Sequence, residues 1–353
     1  MSNDAGRPVL ALNVGSSSLK FGFFTVDASG SHELVAGAEE SLGEPQAALA
    51  RIVQRLEAQS LPAPAAVGHR IVHGGPHCRQ HRLIDAAVMQ QLQAATCFAP
   101  LHVPPALALV RAAQERFPAV AQVACLDTAF HAGMPAVART LPIPREFQAL
   151  GIERYGFHGL SGESIVRQLG PDVPPRMVIA HLGHGASVTA VARGASVDTS
   201  MGLTPTGGVI MSTRCGDIDP GVLAYLVREH GYDAVQLGAL IDQRSGMLGI
   251  SGQSGDLREL NAAAASTAAS SADARLAIKM FCSSVRKQIA AMAVVLGGVD
   301  LLVFTGGIGE NDASTRALIC EGLEALGIQK AAVRVMPANE EQEIAWQTSR
   351  RVT

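Results

Sequence analysis

No stretch of this 353-residue sequence is both long and continuously apolar. The most apolar run, Ile289 to Gly307, is broken by Gly297, Gly298 and Asp300, so it reads as a helix followed by a strand and excludes a membrane span there. An excess of one charge is also missing: 28 Lys and Arg stand against 31 Asp and Glu, for a formal net charge of -3, and no run is rich in Lys or Arg. That balance leaves no electrostatic footprint for nucleic acid or for an anionic membrane surface. Met1 to Pro8 lack the charged-then-apolar pattern of a secretory leader, which points to a cytoplasmic location. The six cysteines (Cys78, Cys97, Cys125, Cys215, Cys282, Cys320) lie far apart with no C-x-x-C, so neither a disulfide framework nor a zinc site is expected. What remains is 48% hydrophobic and 17% charged, a globular composition with length for two domains.

Hydrophobic spacing then gives the organisation. Val9 to Val14 and Leu19 to Val26 flank Gly15-Ser16-Ser17-Ser18, which predicts an opening hairpin. Leu49, Ile52, Val53 and Leu56 fall at i, i+3, i+4 and i+7 on a helix from about Gln46 to Gln59, ended by Pro62 and Pro64. An apolar run at Ala65 to Val72, helices near Asp85 to Cys97 and Pro104 to Phe117, and a strand at Val120 to Leu126 follow. Val178 to Leu182, Gly183-His184-Gly185-Ala186 and Ser187 to Ala192 repeat the opening pattern of strand, small-residue turn and strand. The offset is nearly half the chain, as for two similar α/β halves that each give one tight loop to a shared cleft. A long helix bearing Ile278, Phe281, Val285, Ile289 and Met292 on one face, a strand at Leu301 to Thr305 and a helix from about Ser314 to Leu326 complete the pattern. Ala262 to Ser271, Ala and Ser apart from Thr267, reads as a surface turn or linker.

Three small-residue loops each follow a strand: Gly15 to Ser18, Gly183 to Ala186, and Gly306-Gly307-Ile308-Gly309-Glu310-Asn311. Glycines let backbone N–H groups approach an anion closely, although ordinary turns look the same one at a time. None matches G-x-x-x-x-G-K-[ST] or G-x-G-x-x-G, so neither a P-loop nor a dinucleotide fold is supported. Arg70 and Arg214 sit beside such turns, and their planar guanidinium groups suit either a carboxylate or phosphoryl ligand or a structural partner in Asp127, Asp217 or Asp219. His158 and His181 read equally as site residues or as hydrogen-bonded core histidines. Asp127, ending an apolar strand, is either a site residue or a helix N-cap.

Taken together these segments resemble the acetate kinase family, within the superfamily of acetate and sugar kinases, chaperone ATPases and actin. The resemblance runs from Asn13-Val14-Gly15-Ser16-Ser17-Ser18-Leu19-Lys20 through Arg70, Pro100-Leu101-His102, Asp127, His158, His181 and Asp198-Thr199-Ser200-Met201-Gly202. It continues through Arg214, Ser254-Gly255-Asp256-Leu257-Arg258 and Gly307-Ile308-Gly309-Glu310-Asn311 to Asn339-Glu340-Glu341. It implies an α/β fold of two actin-like (ribonuclease H-like) domains related by duplication around a nucleotide cleft, residues 1–150 plus 335–353 and residues 151–334.

The resemblance further implies ATP + acetate ⇌ ADP + acetyl phosphate, with Mg2+ or in its place Mn2+, in a homodimer. Propionate or another short-chain acid is the alternative acceptor, and a non-catalytic nucleotide-binding homologue the alternative class. Arg70, Asp127, His158 and Arg214 match the family's catalytic positions, and Val72, Leu101, Phe157 and Pro205 its acyl pocket. Ser16, Ser18, Lys20, His181, Leu182, Gly183, His184, Gly185, Asp256, Leu257, Arg258 and Gly307 to Asn311 match nucleotide-contacting positions; Asn13 and Glu340 match the magnesium positions. The sequence departs from the family at His184 and Val103, where asparagine is usual, and at Leu160 and Gly162, where threonine and histidine are usual.

Overall fold

Alternation of apolar residues carries the opening hairpin into the structure: β1 (Arg7–Val14) pairs antiparallel with β2 (Ser18–Val26), Asn13 opposite Lys20. The computed structural model describes residues 6–15, 18–40, 45–268, 270–329 and 332–352. β3 (Ser31–Glu40) extends the meander, while β4 (Ala66–Ile71) adds parallel to β1 and β6 (Ala121–Leu126) parallel to β4. A two-residue edge strand β5 (Arg82–Leu83) completes the order β3-β2-β1-β4-β6-β5.

The second sheet repeats this plan. β7 (Arg176–Leu182), β8 (Ala186–Ala192) and β9 (Ala195–Thr199) form an antiparallel meander. β10 (Leu301–Thr305) lies parallel to β7 and β11 (Val333–Val335) parallel to β10, giving β11-β10-β7-β8-β9. Without β5 the two sheets have one topology, which is the duplication the repeated hairpins predict.

The chain divides into two compact units, Met1–Ala132 with Phe157–Arg167 and Asn339–Thr353, and Gly133–Gly156 with Gln168–Ala338. Against the expected boundary at residue 150, Gly133–Gly156 groups with the second unit and Phe157–Arg167 with the first. Leu160 gives the reason for the latter: it is fully buried among Val9, Ala11, Val123, Cys125, Ile344 and Ala345.

In the first unit one face of the sheet is covered by the helix Pro45–Ala58, whose Leu49, Ile52, Val53 and Leu56 meet Leu10, Leu12, Phe21 and Phe23. Each such side chain contributes about 1.5–3 kcal/mol on full burial. The helix Glu340–Arg351 covers the other face through Ile344 and Ala345. Its approach requires Gly68, where a Cβ would lie 2.1 Å from Thr348 Oγ1. In the second unit the helix Ser271–Leu296 buries Ile278, Phe281, Val285, Ile289 and Met292, the face the spacing predicts, and packs on β7 and β8.

Two expectations change. Ala262–Ala265 continue the helix Leu257–Ala265, because alanine is the best helix former, and only the following residues turn. The predicted helix over 314–326 is Ala313–Cys320 and then a short 3-10 turn at Leu323–Leu326, separated by left-handed Gly322 (φ 82°). No helix among the described residues is long and apolar enough to cross a membrane.

Candidate active site

Loops at the carboxyl ends of parallel strands are where ligands bind in α/β sheets, and the charged residues of the first unit gather there. Arg70 is the penultimate residue of β4, Asn13 of β1, and Asp127 follows β6. Arg70 Nε and Nη2 donate to Asp127 Oδ2 at 3.0 and 2.6 Å, and Nη1 donates to Asn13 Oδ1 at 3.2 Å. Asn13 Nδ2 donates in turn to Glu340 Oε2 at 3.0 Å and Glu341 Oε1 at 2.8 Å. Of the partners weighed for Arg70, Asp127 is therefore the one it pairs with, through the side chain of a residue that follows β6.

Burial pushes the Asp127 carboxyl above the usual range, against the pull of Arg70. Burial alone would lower the Arg70 pKa, but Asp127, Glu340 and Glu341 outweigh it and raise the value, so the guanidinium stays charged. Asp127 Oδ1 is buried without a hydrogen-bond partner, an acceptor that a donor on a bound ligand or its water would satisfy. Glu340 and Glu341 add two carboxylates beside an amide whose oxygen is engaged by Arg70. Such hard oxygen donors fit Mg2+, which takes one or two carboxylates and keeps its waters. Among the described residues no group of three or more His, Cys, Asp or Glu forms a closed metal cage.

His158 adopts φ 58°, the left-handed region that a non-glycine residue rarely enters without surrounding support. The support is visible: Gly159 N–H donates to Asp127 O at 2.8 Å, and His131 Nε2 lies 3.0 Å from Phe157 O. Burial pushes the His131 imidazole down to about 4, so it is neutral and its Nε2–H donates. The sequence singles out His158 and misses His131, whose only signal is a histidine four residues after Asp127. Phe157 is buried, its ring 5.5 Å from His73, which stacks on Phe98 at 5.0 Å. Val72 is buried as well, whereas Leu101 is 56% exposed. Three departures from the family pattern are matters of packing: Leu160 and Val103 are fully buried, and a Cβ on Gly162 would lie 2.8 Å from the Phe130 ring. Ser18 O closes the opening turn on Gly15 N–H at 2.8 Å, and exposed Lys20 lines a cavity of about 630 Å3 with Glu33, Asn339 and Glu341. Ser16 lies outside the described residues.

In the second unit the two glycine loops leave neighbouring parallel strands, with His181 of β7 in register with Thr305 of β10. Gly183 N–H donates to Gly185 O at 2.9 Å, which closes the turn after Leu182, and His184 O accepts from Ser212 N–H at 3.4 Å. Desolvation, then the positive charge of Arg214, lower the His184 pKa, with Asp256 opposing them. Arg214 Nη1 donates to Pro205 O at 3.2 Å. Of the carboxylates weighed as its partners, Asp217 accepts from Gly208 N–H at 2.7 Å and Asp219 caps the helix Pro220–His230 through Gly221 N–H. Thr213 Oγ1, bonded to Asp242 O at 2.8 Å, steadies the Arg214 loop.

Asp256 caps the helix Leu257–Ala265 and meets Arg258 Nη2 at 2.5 Å, which holds its carboxyl down to about 2. Leu257 is core, while the Arg258 side chain is 91% exposed. The third glycine segment, expected as a loop, is the short helix Gly306–Asn311, in which Gly307 is exposed, Asn311 Nδ2 donates to Gly307 O at 2.9 Å, and Glu310 accepts from backbone N–H groups. The first unit by itself offers a buried, charged arginine with hard oxygen donors, and the second by itself offers glycine-rich segments and an arginine. That is chemistry for a small carboxylate and a polyphosphate.

A family model described as the acetokinase family matches residues 37–352. Acetate kinase 2 of Neisseria meningitidis serogroup A is 40% identical, the match covering 98% of this chain and 98% of that protein. A propionate kinase from Francisella tularensis superposes with a TM-score of 0.88 at 33% identity over 98% of this chain and 99% of its own. The acetate kinase of Porphyromonas gingivalis superposes with a TM-score of 0.84 at 32% identity, covering 98% and 100%. The chain belongs to the acetokinase family, with that family's duplicated, actin-like α/β fold.

Proposed function

We propose that this protein catalyses reversible phosphoryl transfer from ATP to acetate. The observation that carries the reading is Arg70, held charged between buried Asp127 and Asn13 beside Glu340 and Glu341. A carboxylate acceptor with a pKa near that of glutamic acid, about 4.3, is already ionised at neutral pH, so no strong general base is needed. What must be overcome is repulsion between two anions, and the chemistry is positioning and charge stabilisation. One acetate oxygen attacks the γ-phosphorus, that O–P bond forms, and the bond to the β-phosphate oxygen breaks to release ADP. Arg70 holds the carboxylate and Asp127 keeps the guanidinium oriented. His158 and Arg214 donate to the equatorial phosphoryl oxygens, and His181 to the phosphates. Asn13, Glu340 and Glu341 would hold Mg2+, which neutralises phosphate charge when bound.

Val72 and Phe157, both buried, with Leu101 and Pro205 wall the acyl group. The nucleotide is taken by the segments Ser16–Lys20, His181–Gly185 and Asp256–Arg258 and by Gly307 to Gly309 with Asn311. Action as a cytoplasmic homodimer belongs to the same reading. A hydroxamate assay with Mg-ATP and acetate, propionate or butyrate tests it. Acetate-dependent acyl phosphate that falls on the order of 10³-fold in Arg214→Ala is expected. ATP binding without product from any acid would overturn it. The propionate kinase neighbour favours one second reading, propionate as acceptor, and the same assay separates the two by relative kcat/KM.

A further inference from the structure

Glu310 belongs to the glycine-rich segment that the family resemblance gives to nucleotide, folded here as the short helix Gly306–Asn311, and its Oε1 accepts the N–H of Gly306 at the start of that helix and the N–H of Ala338, each at 3.0 Å. One carboxylate oxygen thus joins Gly306 to Ala338, which lies 28 residues beyond Glu310. Both ends of this brace are anchored. Gly306 is left-handed at φ 77°, and a Cβ there would lie 2.7 Å from Leu182 O, so the loop rests directly on the end of β7. Ala338 ends the segment after β11, where Met336 N–H donates to Phe304 O at 3.0 Å. On the other side Arg316 Nη1 donates to Gly309 O at 2.9 Å and Glu310 O at 3.1 Å.

We propose that Glu310 is a positioning residue for the phosphoryl donor. It does not touch nucleotide; it fixes the backbone of Gly306 to Gly309, together with the segment leading to Asn339 and Glu340, in the shape that receives the phosphates. A short helical segment held in place before binding spares the free energy of ordering it during binding, so the brace acts on donor affinity and leaves the transfer step alone. The inference rests on the kinase reading, and it differs from a direct contact with nucleotide or its metal, which would need the negative charge of Glu310.

Two variants separate reach from charge. Glu310→Gln keeps an acceptor oxygen at full reach and loses the charge; Glu310→Asp keeps the charge and is one methylene too short to span both N–H groups. Steady-state kinetics with Mg-ATP and acetate, ADP affinity by calorimetry, and amide exchange at Gly306 and Ala338 are measured for both. Expected is a KM for ATP raised about tenfold or more in Glu310→Asp with kcat near wild type, and faster exchange at those two amides. Glu310→Gln, which keeps the acceptor oxygen, is affected severalfold less than Glu310→Asp in all three. The opposite order, with Glu310→Gln impaired and Glu310→Asp near normal, assigns a charge-dependent ligand role and overturns the proposal, as do wild-type KM and exchange in both. Absence of acid-dependent turnover in the wild type overturns the kinase reading instead, and ADP affinity of the two variants then decides the brace.

Discussion

Asp127 and Arg70 show how far one residue's worth depends on its partner. Removing the arginine leaves a carboxylate in a fully buried position, so Arg70→Met is expected to destabilise the protein by about 3–5 kcal/mol in urea denaturation, with part of the loss recovered in Arg70→Met/Asp127→Leu. A double variant no more stable than the single would show that the two side chains are not coupled. Val72 sets a different quantity. Val72→Ala is expected to raise kcat/KM for propionate relative to acetate by about tenfold, the scale of one methylene in a pocket, and an unchanged ratio would remove Val72 from the acyl wall. Arg70 and Asp127 were legible because each stands where an apolar strand gives way to a loop. His131 was not, because it works through a backbone carbonyl of residue 157 and leaves no spacing behind.

At the scale of elements, the two glycines that open the third loop are predicted to behave oppositely. Gly306→Ala forces a side chain into φ 77° and toward Leu182 O, at a cost of about 1–3 kcal/mol and with a higher KM for ATP. At Gly307 a Cβ meets nothing within 4 Å, so Gly307→Ala should change stability by about 0.5 kcal/mol or less. Thermal melts of the pair check this, and equal losses would mean that backbone conformation is not what selects glycine there. The opening hairpin, the helix Pro45–Ala58 and the helix Ser271–Leu296 were readable because each buries one regular face. β3 was not: Ser31-His32-Glu33-Leu34 interrupts any alternation, and as an edge strand it needs little burial. The brace made by Glu310 was not legible, because a side chain bracing a turn and one reaching out of it to a ligand have the same residue types.

For the whole molecule, acid is the sharpest test of the buried polar groups. Burial pushes His69 and His131 down to about 4, from about 6.5 in the unfolded chain, so between those values the unfolded state binds protons that the native state does not. The contribution of these two histidines to stability is full above pH 6.5 and declines as the pH falls toward 4. His69→Gln should flatten that decline by up to one proton's worth of slope, measured by urea denaturation at pH 7 and pH 5, and an identical slope would show that His69 titrates normally. The duplicated topology was anticipated from two hairpins half a chain apart, whereas the segment returning at Phe157–Arg167 was invisible, since only its packing of Leu160 reveals the unit it serves. The helix Glu340–Arg351, finally, closes a sheet whose last long strand, β6, ends at Leu126. On a ribosome adding about 5–20 residues per second, that sheet face waits on the order of ten seconds or more for its cover. Asn13 receives Glu340 and Glu341 only when the same helix arrives. An interrupted nascent chain would therefore be both unsheltered and without its carboxylates, so premature products mark themselves for chaperones or proteolysis before they can bind substrate.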